Sequence, residues 1–194
     1  MRIRCLVLIS TLVLGLSVLS YGEQSGDVDL KGILEPVVKV RAKVPQNART
    51  ARSLGTEREG SGTVIDSQGL ILTIGYLILE AESIEVVSSK GKVVGATFVG
   101  YDHSTGFGLL RANEPLAVTP MKLGESAEVH VGDQLVVASH GGPDSVVLAT
   151  VVSREEFAGY WEYLLDDAIY TVPSYPNYGG AALIGSDGSL LGIG

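Results

Sequence analysis

Val38, Val40, Ala42 and Val44 alternate with Lys39, Arg41 and Lys43, the period of two that marks a strand with one wet face. Short apolar runs, each cut off by Gly, Pro, Asp or Asn, recur to the end of the chain, and they constrain its fold more than any other feature. Residues 63–65 and 70–73 flank Asp66-Ser67-Gln68-Gly69, a hairpin in which Gly69 can supply the positive φ that a tight turn demands. Further strands are expected at 84–88, 93–100, 107–112, 134–139, 146–153, 168–172, 181–184 and 189–193. The polar stretch 45–59 has no apolar period and reads as a long loop. Residues 113–125, with Pro115 and Pro120, read as a connection, and 155–165 is the one stretch with a helical pattern. The chain is therefore expected to be all-β, of many short strands, a pattern that sandwiches and barrels share.

Residues 1–22 read as a secretory signal: Arg2 and Arg4 give a basic start, an apolar run follows from Cys5 to Ser20, and Ser20 and Gly22 supply small residues for cleavage. The mature chain is expected to begin near Glu23 and to be secreted or periplasmic, with a retained anchor as the alternative. The apolar run is shorter than the ~20 residues a span needs, so no membrane span is expected after cleavage. Cys5 is the only cysteine, and its loss with the signal leaves neither a disulfide nor a thiol nucleophile. Residues 23–194 suffice for one domain or for two small barrels sharing an interface. With three histidines and no mature cysteine, there is no metal-ligand spacing, and neither metal nor cofactor is expected. The net charge of -8 disfavours nucleic acid and anionic membranes as partners, since both need clustered Lys and Arg.

Three stretches carry a more specific signal: TIGYLILEA from Thr73, GYDHSTGFGLL from Gly100 and PNYGGAALIGSDGSLLGIG from Pro176. In order and spacing they resemble the motifs of HtrA/Deg trypsin-like serine proteases, which read TNNHVVxxA around the base, GxDxxTDLALL around the orienting carboxylate and GNSGGPLxxxxGxxxGI around the nucleophile. Gly60-Ser61-Gly62, Leu109-Leu110 and Gly179-Gly180 strengthen the match. The resemblance implies a trypsin-like double β-barrel, with a first barrel over about residues 32–112 and a second over about 126–194. Because the sequence stops in the strand after the third motif, the second barrel is expected to be truncated, with no PDZ domain. A truncated gene or a partner that supplies the next strand are the two explanations weighed.

The same resemblance places Tyr76 where the family has its histidine, Gly106 where it has its aspartate and Tyr178 where it has its serine. Gly106 offers nothing to orient an imidazole. The Tyr76 phenol, with an ordinary pKa of about 10, is no base at neutral pH. Tyr178 would carry its hydroxyl several ångströms beyond a serine oxygen. Pro176 stands at a glycine of the oxyanion loop and has no N–H to donate, and losing one such donor typically costs about a hundred- to a thousand-fold. Sliding the register so that Pro176 meets the family's proline puts Gly179 at the nucleophile, with the same result. His103, His130 and His140 read as turn or surface histidines, and Ser174 as a turn residue.

What the resemblance implies is thus a pseudoprotease that binds or scaffolds, with a serine endopeptidase of the same family or a nonfunctional fragment as alternatives. Tyr76, Tyr170, Tyr175 and Tyr178 are the candidate binding residues of an aromatic cleft, the two phenols at the old catalytic positions largely blocking it. Glu155, Glu156, Glu162, Asp166 and Asp167 would make its rim acidic. An extended basic or aromatic peptide is the ligand that fits best.

Overall fold

In the computed structural model the described residues are 30–159 and 163–194; the expected signal at 1–22 lies outside them. Six strands, β1 (Val37–Lys43), β2 (Glu57–Val64), β3 (Leu70–Ile74), β4 (Ser83–Val87), β5 (Val93–Tyr101) and β6 (Phe107–Ala112), close into a barrel in the order β1-β2-β3-β6-β5-β4. Five more, β7 (Gln134–Ala138), β8 (Val146–Gly159), β9 (Tyr163–Val172), β10 (Ala182–Ile184) and β11 (Leu190–Ile193), form a curled sheet in the order β11-β10-β7-β8-β9. Neighbouring strands of both sheets are antiparallel.

The alternation in β1 does what its period implies. Val38, Val40 and Ala42 are buried in the barrel with Ile71, Val86 and Leu110, each large aliphatic contributing on the order of 2 kcal/mol through removal from water. The opposite face carries Lys39 and Arg41, which pair with Glu59 of β2 at 2.6 and 3.2 Å. That pairing explains why the polar stretch expected to be a loop is one only up to residue 56, its last three residues opening β2. After a short helical turn at Ala51–Leu54, β2 begins at Glu57, with Glu57 opposite Lys43 and Glu59 opposite Arg41. Opposite charges across antiparallel strands hold the wet face together, and a hydrophobicity pattern does not register them. At the next turn Asp66 accepts from the Gln68 and Leu70 amides, and Gly69 takes a φ of 78°.

Where described, the stretch 155–165, expected to be helical, is strand: its residues belong to the end of β8 and the start of β9. β8 runs through to Gly159, with Glu155 opposite Ala168 and Phe157 opposite Leu165. Its stabilising contacts lie across the strands, where neither sequence run reveals them alone. Phe157 meets Tyr170 edge-on at 6.4 Å between centroids, and Arg154 forks onto both Asp167 oxygens at 2.9 and 2.5 Å.

The two sheets share a core rather than merely touching. Val37 of β1 is buried with Met121, Ala138, Ala182, Ile184 and Leu190, and Ile65 and Leu72 pack against the same group. The cleft described next lies on this seam.

Candidate active-site cleft

β3 ends at Ile74 and the chain turns into a single 3-10 turn, Gly75–Leu77, which presents Tyr76. The turn is fixed from two sides. The Gly75 amide donates to the Gly106 carbonyl at 2.7 Å, and a side chain at Gly75 would run into the Tyr101 ring, 2.0 Å from its Cβ. From beneath, Arg58, only 6% exposed, donates to the carbonyls of Tyr76 (2.7 Å), Leu79 (3.0 Å) and Gly55 (3.2 Å) and to the Thr50 hydroxyl (2.7 Å). Burial lowers the pKa of its guanidinium, and Glu80 works in the opposite direction.

Gly106 closes the adjoining turn with a φ of 76°. Its amide donates to the Asp102 carbonyl at 2.8 Å. The Asp102 carboxylate is consumed by the turn itself, accepting from the Ser104 amide (2.9 Å) and the Thr105 hydroxyl (2.8 Å). These bonds, the Ser104 amide first, hold its pKa below the ordinary carboxylate range. Gly106 therefore meets the turn that carries Tyr76 with backbone alone.

The third stretch crosses between the sheets. The Ser61 amide donates to the Gly179 carbonyl at 2.9 Å. Gly180, at a φ of 73°, lies so close that a Cβ would fall 1.9 Å from the Ser61 carbonyl oxygen. Only glycine fits both the dihedral and the space. A Cβ on Gly179 would come within 2.5 Å of the Tyr76 hydroxyl.

Tyr76 and Tyr178 thereby line one cleft of about 450 Å³, together with Glu59, Ser61, His140 and Pro176. The cleft is not blocked, because Tyr178 is 60% exposed and stands at its rim. Tyr178 and Tyr175 also line a neighbouring groove, where the Tyr175 hydroxyl donates to the Ser145 carbonyl at 3.0 Å and lies 2.6 Å from the Ser139 hydroxyl. Tyr170 is a correction: it is not among the residues lining either space, since β9 turns it onto Phe157. Tyr170, Tyr175 and Tyr178 part company because only Tyr170 lies within β9, whereas Tyr175 and Tyr178 follow its end at Val172.

His140 is the residue that sequence reasoning missed, having read it as a turn or surface histidine. It follows β7, and its amide donates to the Ser61 hydroxyl at 3.0 Å while the same oxygen lies 3.0 Å from its Nδ1. Its Nε2 is 3.8 Å from Glu59. Burial first, then the positive charge of Lys39, lowers its pKa; Glu59 opposes this and Arg41 adds to it. The neutral ring is favoured, and its Nδ1 shares a hydrogen bond with the Ser61 hydroxyl. The only cue in the sequence is its place at a strand end before Gly141-Gly142, which says nothing about β2 across the seam. Among the described residues no group of three or more His, Cys, Asp or Glu side chains could hold a metal ion.

The trypsin-like peptidase domain model matches residues 60–193. The chain belongs to the trypsin-like peptidase family. Its relatives place it in the HtrA/Deg branch. It is 30% identical over 176 residues to a probable periplasmic serine endoprotease, DegP-like, of Pseudomonas fulva, covering 85% of this chain and 36% of that protein. It is 29% identical over 155 residues to serine endoprotease DegS of Escherichia coli K12, covering 76% of this chain and 42% of that one. The chain thus spans less than half the length of these relatives. Among solved structures, the HtrA-type protease AlgW with tripeptide matches with a TM-score of 0.67 and 21% identity, over 84% of this chain and 53% of the other. That likeness concerns the trypsin-like fold, a closed barrel beside a curled partial one.

Proposed function

We propose that this trypsin-like chain is an exported, catalytically inactive member of its family that acts by binding a peptide or protein. The observation that carries the reading is the cleft itself. Tyr76 and Tyr178 line it, Gly106 bonds the adjoining Gly75 amide through its backbone carbonyl, and no imidazole–hydroxyl pair stands at those positions. Acyl transfer needs a nucleophile, a base and an orienting group that act as one unit. Pro176 withdraws a backbone donor as well. Export is supported by the names of relatives described as periplasmic; among the described residues no helix is long and apolar enough to cross a membrane.

A second reading, retained peptidase activity, has one observation in its favour: Ser61, His140 and Glu59 form a hydroxyl–imidazole–carboxylate series in the same cleft. Its weakness is access. Ser61 is only 1% exposed, and its oxygen already accepts the His140 amide. The test is a fluorophosphonate probe and a casein digest on the purified chain and on Ser61→Ala. The inactive reading expects neither labelling nor hydrolysis. Labelling that disappears in Ser61→Ala would establish a displaced nucleophile and overturn it.

A further inference from the structure

The residues that line the cleft have an uneven hydrogen-bond inventory. Their acceptors are engaged: one Glu59 oxygen takes Lys39 and the other Arg41, the Gly179 carbonyl takes the Ser61 amide, and the Ser61 hydroxyl oxygen takes the His140 amide. Asn177 and Tyr178, both exposed, bring donors, a side-chain amide and a phenol O–H. A ligand matched to this inventory offers carbonyl oxygens and brings few N–H groups of its own, because an N–H buried without an acceptor is costly.

Charge and backbone narrow the ligand further. Glu59 on the cleft wall is balanced by two cations. Of the acidic residues expected at the rim, Glu155, Glu156, Asp166 and Asp167 do not line the cleft; Asp166 and Asp167 line the neighbouring groove along β9. Among the described residues the cleft therefore has no unbalanced carboxylate for a basic ligand to meet. β2 reaches it with Glu59, Gly60 and Ser61, and the Ser61 amide is already taken, an edge shorter than the about five residues over which strands usually pair. Recognition must then come from side chains, and Tyr76, Pro176 and Tyr178 supply rings. Aromatic-lined grooves take proline-rich segments in this way, since the polyproline II helix is pre-ordered, presents its carbonyls outward and lacks an N–H at every proline.

We propose that the cleft binds a proline-rich segment in the polyproline II conformation, its rings packed on Tyr76 and Tyr178 and its carbonyls accepting from the Tyr178 hydroxyl and the Asn177 amide. The inference rests on the reading of the cleft as a peptide-binding site and adds the class of peptide. β9, β10 and β11 contribute no residue to it.

The test uses the full chain and two fluorescein-labelled nonapeptides read by anisotropy: nonaproline, and an uncharged peptide in which valine and serine alternate. Saturable binding of nonaproline is expected, about tenfold or more tighter than that of the second peptide. Tyr178→Ala should weaken it by about tenfold, the scale of one aromatic anchor, and Asn177→Ala should weaken it in the same direction. Both side chains are exposed, so neither change endangers the fold. Tyr170→Ala removes a ring that lies outside the cleft against Phe157, and should leave binding unchanged. Failure of nonaproline to bind, or unchanged binding in Tyr178→Ala, overturns the proline-rich ligand. Equal or tighter binding of the valine–serine peptide overturns it too; where Tyr178→Ala abolishes that binding, the cleft remains a peptide site of another class. Cleavage of the valine–serine peptide, read by mass spectrometry, overturns inactivity, while saturable and Tyr178-dependent capture of nonaproline still supports the ligand class.

Discussion

At the scale of single residues the seam is held by groups that have no freedom to change. Gly180 combines a φ of 73° with the Ser61 carbonyl where a Cβ would go, so Gly180→Ala should cost about 3 kcal/mol or more, read as a fall in the urea midpoint. His140 makes the seam sensitive to pH, and the sign follows from its lowered pKa. As pH falls through the ordinary imidazole value of about 6.5, the unfolded chain binds a proton that the folded chain refuses. Folding stability is therefore lost from that point down to the depressed folded pKa, below which the imidazole costs nothing further. In the protonated ring Nδ1 can only donate to Ser61, never accept from it. Glu59, whose pKa Lys39 and Arg41 hold down, stays ionised across this window and does not mask the effect. Urea midpoints at pH 7.5 and 5.5 should differ less in His140→Gln than in the parent chain; an unchanged difference would show that His140 is not the group responsible.

At the scale of elements, the strands that alternate cleanly were legible and those stabilised across the sheet were not. Phe107–Ala112 could be placed to the residue because it buries every second side chain. The start of β2 and the outer half of the β8–β9 ribbon could not, since Glu57, Glu59, Arg154 and Asp167 make their contacts with residues far along the chain. Of the residues that the three motifs single out, Tyr76 and Tyr178 line the cleft, while His140, from an unrelated stretch, became visible only once the turn after β7 met Ser61 of β2. A contrast between elements follows. Leu110, fully buried in the closed barrel, should cost about 2–5 kcal/mol on mutation to Ala, whereas Leu164, 52% exposed at the open sheet, should change stability by no more than about 0.5 kcal/mol. Comparable losses at the two sites would mean that the groove is filled in the free chain.

At the scale of the whole molecule, the proposed inactivity rests on the backbone as well as on three side chains. Tyr76→His and Tyr178→Ser can place an imidazole and a hydroxyl in the same cleft. Gly106→Asp must put a carboxylate on a residue whose φ is 76°, a region that Asp enters only at a cost, and whose carbonyl is already pinned to the Gly75 amide. Pro176 still lacks its N–H. Because the members of such a unit act together rather than additively, the triple variant should hydrolyse a peptide ester no faster than the parent chain. Adding Pro176→Gly to it should yield the first measurable turnover, by restoring a donor of the kind whose removal typically costs about a hundred-fold or more. The measurement is burst-phase release from a chromogenic ester by both variants, with circular dichroism confirming that each is folded. Equal turnover in the triple and quadruple variants would move the oxyanion donors off the loop at Pro176. That would place the third motif in the alternative register, with Gly179 rather than Tyr178 at the nucleophile position.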